Sequence, residues 1–144
     1  MFFKKGKQDK VFVGKLTYGA DILDELSVFC VDNSINSGWI NLIGAVKCYN
    51  IGFYDQNSKE YKEIKSPENE AGFEIASCSG NISIKENKPF VHLHAVFTDK
   101  DGKAFGGHVM KGTKIFAAEF MLTSFEGKDF VRSHDEETGL FLWK

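Results

Sequence analysis

The sequence predicts an α+β domain: a mostly antiparallel sheet, curled or two-layered, with one principal helix. Three observations carry this. Only one stretch has helical periodicity, with Ile22, Leu23, Leu26, Phe29 and Cys30 following Asp21. Most other apolar runs are short, rich in β-branched or aromatic residues, and bounded by Gly, Asn, Asp or Ser. Fourteen phenylalanines against two prolines also favour extended, well-packed structure. At 144 residues the chain has the length of one domain with a real core and is short for two.

Taken in order, Lys4, Lys5, Lys7 and Lys10 give residues 1–10 the character of a flexible basic arm, leaving 11–144 as the folded domain. Lys10 to Leu16 alternates as a first strand, and Tyr18-Gly19 breaks it. Asp21 is placed to N-cap a helix running to about Val31. After turns at Asp32-Asn33-Ser34 and Ser37-Gly38, Trp39 to Tyr49 reads as a long buried strand with a bend or close approach at Gly44. Ile51–Tyr54 and Glu60–Ile64 form a hairpin around Asp55-Gln56-Asn57-Ser58, and Ser66 to Glu70 is a loop. Phe73–Ser77 and Asn81–Lys85 read as two short strands split at Ser79-Gly80. A hairpin fills Phe90 to Lys111, Thr113 to Phe125 is a further strand, and a charged turn holding His134 precedes a last strand, Leu140 to Trp143.

The Phe90–Lys111 hairpin carries the candidate site. In an extended His92-Leu93-His94, both imidazoles share one face. Asp99-Lys100-Asp101-Gly102-Lys103 reads as a three-residue loop with Gly102 in the left-handed position, pairing Asp99 with Lys103. Counting back from that pair sets His94 opposite His108, so His92, His94 and His108 converge. A two-residue loop would set His108 opposite Leu93 and dissolve the triad, and a bulge at Gly106-Gly107 would re-aim it. Three neutral imidazoles suit zinc or another divalent transition metal and leave a fourth position for water. Glu119, a carboxylate inside an apolar run, is the candidate general base; the plainer reading is a solvated strand residue. For the histidines, the plainer reading is hydrogen bonding to neighbours without a cation.

The charge balance argues against a nucleic-acid binder working through its overall field. The net charge is −2, the pI is about 6.1, and Arg132 is the only arginine. Lys4, Lys5, Lys7 and Lys10 are the candidate phosphate contacts, and binding through them would be strongly salt-sensitive. Cys30, Cys48 and Cys78 have no paired spacing and read as reduced thiols acting as small hydrophobes. No run approaches the roughly 18 apolar residues of a membrane span. The start lacks an apolar secretory core, so a cytoplasmic location is expected.

Several motifs, in this order, resemble the plants-and-prokaryotes conserved (PPC) domain family in its stand-alone prokaryotic form. They are Ile35-Asn36-Ser37-Gly38-Trp39-Ile40, Gly44-Ala45-Val46, Gly72-Phe73-Glu74-Ile75, Ser79-Gly80-Asn81-Ile82-Ser83, and His92-Leu93-His94 followed by Asp101-Gly102 and Gly106-Gly107-His108. The resemblance runs from Leu16 to the tail around Leu140. It implies a strongly bent antiparallel sheet with one principal helix, assembly as a homotrimer, and a DNA-binding or regulatory role. Plant members join the domain to AT-hook segments; this chain has no Arg-Gly-Arg-Pro core and keeps the three histidines that plant domains generally replace. A metal site, in a binding module or in a zinc-dependent enzyme of unknown substrate, is the competing expectation.

Overall fold

The computed structural model describes residues 1–67, 71–127 and 129–144. Its one α-helix among the described residues, α1 (Ile22–Asp32), follows β1 (Lys7–Lys15). Nine further strands complete the chain: β2 (Gly38–Cys48), β3 (Asn50–Asp55), β4 (Glu60–Lys65), β5 (Phe73–Lys85), β6 (Lys88–Thr98), β7 (Ala104–Val109), β8 (Lys114–Glu126), β9 (Arg132–His134) and β10 (Phe141–Trp143). Eight of the ten strands form an antiparallel sheet in the order β1-β8-β2-β5-β6-β7-β3-β4, while β9 and β10 pair separately. The single helix and bent antiparallel sheet agree with the expected fold class.

Asp21 begins the helix as expected, and does more. Its Oδ1 accepts from the backbone N–H groups of Leu23 and Asp24 at 3.1 and 3.3 Å, satisfying donors that the first turn leaves free. Its Oδ2 accepts from the Gly112 N–H at 2.7 Å, tying the helix start to the turn between β7 and β8. Ile22, Leu26 and Cys30 face inward, and the helix packs on β6. There Val91, Leu93, Ala95 and Phe97 alternate into the core while His92, His94 and Val96 point the other way.

Bulges bend the sheet. The β2–β5 register shifts between Leu42 and Gly44, and the β5–β6 register between Ile75 and Ser77. Gly44 has φ +127°, and a Cβ there would collide with the Ala117 carbonyl, so the expected bend and close approach both occur. Burial in β2 alternates, so the strand is covered on one face rather than throughout.

Other expectations need correction. Phe73–Ser77 and Asn81–Lys85 are one continuous strand, β5. Gly80 marks close approach rather than a turn, because a Cβ there would strike the His92 carbonyl. The first strand starts at Lys7, three residues before the expected Lys10. The tail contains an extra strand, β9, which takes in His134; that histidine is exposed, as expected. Of the Ser66–Glu70 loop, Glu68, Asn69 and Glu70 lie outside the described residues. All three cysteines are free; Cys30 and Cys78 are buried, and burial pushes both thiols up to about 12. Among the described residues no helix is long and apolar enough to cross a membrane.

Candidate metal centre

The turn chemistry fixes the register on which the triad depends. The Asp99 N–H donates to the Lys103 carbonyl at 3.1 Å, and Gly102 adopts φ +77°. The Asp99 carboxylate accepts from the backbone N–H groups of Asp101 and Lys103 at 3.0 and 2.9 Å, which locks the loop at three residues. Thr98 then pairs with Ala104, and uninterrupted pairing leads back to His94 opposite His108. Gly106-Gly107 introduces no bulge.

His92, His94 and His108 therefore meet on the face of the sheet away from α1. Each offers a ring nitrogen, and these atoms all lie within 4.8 Å of one another. The ring centres are 5.2 Å apart for His92 and His94, 5.0 Å for His92 and His108, and 5.4 Å for His94 and His108. Zinc bonded tetrahedrally at about 2.0–2.1 Å to three radially directed imidazoles would hold their centres roughly 5 Å apart. The ring geometry fits such an ion.

The electrostatics fit as well. Burial, with the neighbouring His108, Arg132 and His94, holds His92 down to about 3. Burial, with His94 and Arg132, holds His108 down to about 4. Burial also lowers His94, the most exposed of the three. All three rings are thus neutral at pH 7, the form that ligates a metal. Among the described residues the buried Nδ1 of His108 has no hydrogen-bond partner.

Arg132 is a neighbour of the triad that the sequence did not reveal. From β9 its Nε donates to Ser83 Oγ at 2.8 Å, its Nη1 to the Phe141 carbonyl at 2.9 Å, and its Nη2 to Asn81 Oδ1 at 3.0 Å. The same Nη2 lies 3.2 Å from His92 Nδ1. The Tyr61 ring, on β4, sits 5.1 Å from that of His108. The signal available in the sequence was the lone arginine itself, in a Val131-Arg132-Ser133-His134 run whose alternation is that of a strand.

Glu119 lies elsewhere. It is exposed on β8, opposite Lys15 and Ile43, with β2 and β5 between its strand and β6. Three strand spacings put it roughly 14 Å from the histidines of its own chain, beyond the reach of a general base. The four lysines of the N-terminal segment are also remote from the triad. Lys4 donates to the Asp129 carbonyl, Lys7 pairs with Glu126 at 2.8 Å, and Lys10, like Lys7, is part of β1. Lys5 is exposed.

Comparison with solved structures places this fold among relatives. A metal-containing protein from Archaeoglobus fulgidus is 38% identical, with 100% of this chain and 99% of that one covered at a TM-score of 0.93. A plant- and prokaryote-conserved protein from Pyrococcus horikoshii is 30% identical, with 100% and 97% covered at 0.92. A protein from Bacteroides thetaiotaomicron, described as a candidate DNA-binding protein, shares the fold at 24% identity, with 96% of each chain covered and a TM-score of 0.83. The chain is also 26% identical over 132 residues to the bifunctional protein GlmU of a Synechococcus species. That match covers 90% of this chain but only 20% of the curated relative's length. The Plants and Prokaryotes Conserved (PCC) domain matches residues 3–126, and the chain belongs to that family.

Proposed function

We propose that this chain is a homotrimeric metal-binding module that holds a divalent transition metal, zinc by the nature of its donors, through His92, His94 and His108. The observation that carries the reading is the convergence of three neutral imidazoles from two adjacent strands, at ring separations that suit one ion. The 38% identical relative described as metal-containing supports it. Elemental analysis of protein purified without a histidine tag tests it. About one metal per chain is expected, lost on His94→Ala; a metal-free wild type purified and reconstituted without uptake overturns the reading.

Trimer formation has its own support. Val11, Val13, Trp39, Ile43 and Met121 are exposed together on the β1-β8-β2 end of the sheet, where a second copy would cover them. Sedimentation of the purified chain gives the stoichiometry.

When bound, a metal with an open fourth position would lower the pKa of a ligated water and so allow hydrolytic chemistry. Activity as a zinc-dependent enzyme is the second reading, resting on the cleft that opens beside the triad. DNA binding has less support in this chain. Its net charge is −2, and its one guanidinium is turned toward the histidines. Contacts from Lys4, Lys5, Lys7 and Lys10 to phosphate would weaken steeply between about 50 and 200 mM salt. A mobility-shift titration without binding at the lower salt removes the DNA reading.

A further inference from the structure

Beside the triad is a cleft of about 400 Å³ whose lining includes His92, His108, Lys59, Lys85 and Arg132. Three of its lining residues are cations and none is a carboxylate, in a chain whose net charge is −2. Local charge this far from the average needs a counter-charge.

Among the described residues the three cations lack one. Arg132 is half-buried, and each of its hydrogen-bond acceptors is neutral: Ser83 Oγ, Asn81 Oδ1, the Phe141 carbonyl and His92 Nδ1. Among the described residues no carboxylate oxygen lies within 4.0 Å of it. Lys85 Nζ sits over the Phe141 and Phe90 rings, at 4.1 and 5.5 Å from their centres, again without a carboxylate. Lys59 Nζ donates to the Glu136 backbone carbonyl. A desolvated guanidinium with only neutral partners is costly, and an anion in the cleft would offset that cost.

The contact between Arg132 and His92 links this cleft to the metal. A neutral imidazole has one lone pair, and a guanidinium is always a donor, so the contact at His92 Nδ1 uses that lone pair. A metal ligated through Nδ1 would take the same lone pair. Ligation through Nε2 would instead move the proton to Nδ1, where it would face the guanidinium N–H. In either case Nη2 must release His92 when the ring ligates a metal, which leaves a charged donor facing the cleft.

We propose that this cleft binds a small organic carboxylate. Its charge is met by Arg132 and Lys85, its apolar part lies against Tyr61 and Phe90, and it sits next to the ion held by the histidines. The proposal rests on the metal-site reading for the release of Arg132; the charge partners themselves lie outside the triad. Positive coupling follows: metal loading tightens carboxylate binding, and the carboxylate tightens metal binding by the same factor.

Calorimetric titration with benzoate, and with its neutral counterpart benzamide, tests the site on zinc-loaded and chelator-stripped protein. Benzoate is expected to bind the zinc-loaded chain at least about tenfold tighter than benzamide, and tighter than it binds the stripped chain. Arg132→Gln should remove most of this preference and Lys85→Gln several-fold of it. Direct ligation of benzoate to zinc would leave both variants like the wild type, which overturns the proposal. Lys85→Gln decides alone if Arg132→Gln does not fold, because among the described residues the Lys85 ammonium engages only aromatic rings. One zinc per chain with equal or no binding of the two probes overturns the carboxylate site and leaves the metal reading intact. No zinc uptake, with the benzoate preference kept and lost in Lys85→Gln, supports the cleft and removes the metal.

Discussion

The outer face of the sheet carries two unlike regions on continuous rows of side chains. One row runs Val13, Met121, Asn41, Ser79, His94, His108, and the next runs Val11, Thr123, Trp39, Asn81, His92. At the β1-β8-β2 end the rows expose apolar residues; at the β6-β7 end they finish in imidazoles beside a guanidinium. Asn41, Ser79 and Asn81 separate the two ends with uncharged polar groups. One end offers area that another protein surface would cover, and the other offers lone pairs and cationic charge to a small ligand. The shared face means that register errors damage both ends, whereas side-chain changes reach only one.

The largest expected effect comes from register. With the Asp99–Lys103 turn kept, deleting Gly106 from β7 sets His108 opposite Ala95, on the inner face, and should bring zinc uptake below detection by elemental analysis. Retention of one zinc per chain in that variant would mean that the register counted from the turn does not position the triad. Next is Leu93→Ala, which acts on the inner face between His92 and His94. Leu93 is fully buried, so a loss of roughly 2–5 kcal/mol in chemical denaturation is expected. His94→Ala, on the exposed side of the same strand, should cost the metal-free chain much less.

Trp39→Lys tests the apolar end, since the residues opposite Trp39, Thr123 and Asn81, are neutral. A charge buried without a partner costs several kcal/mol, so self-association should weaken by at least about 100-fold in sedimentation experiments. Zinc content should stay unchanged; an unchanged assembly would show that this patch is not the contact between copies. The smallest effect is the pH dependence of the histidine end. His92 and His108 sit at about 3 and about 4 when folded, below the ordinary 6.5 that holds once unfolded. The unfolded chain therefore binds more protons in this range, so stability is full above about 6.5 and falls as pH drops toward the folded values. Denaturation of metal-free protein between about pH 7 and 5 should show a shallower decline for His92→Gln than for the wild type. Identical slopes would show that the ring is not held neutral by its surroundings.

Much of the candidate site was legible because it is local. The Asp99 carboxylate, the left-handed Gly102 and strict two-residue alternation act within one short hairpin, enough to bring His94 to His108. The helix, with Asp21 as its cap, was legible for the same reason. What escaped the sequence comes from distant segments. Gly80 read as a break because a glycine's local signal is the same for a turn and for close approach; only the neighbouring His92 carbonyl distinguishes them.

The sequence by itself determined the class of fold, the helix start and the hairpin register, since each depends on dihedral preferences and periodicity within a short stretch. The tertiary structure decided the rest. It inserted β8 between β1 and β2, leaving Glu119 across the sheet from the triad, and it brought Arg132 to His92 across 40 residues of chain. Non-local pairing of this kind is settled by burial of the whole sheet and by the partners available to a desolvated charge, and no local pattern encodes either.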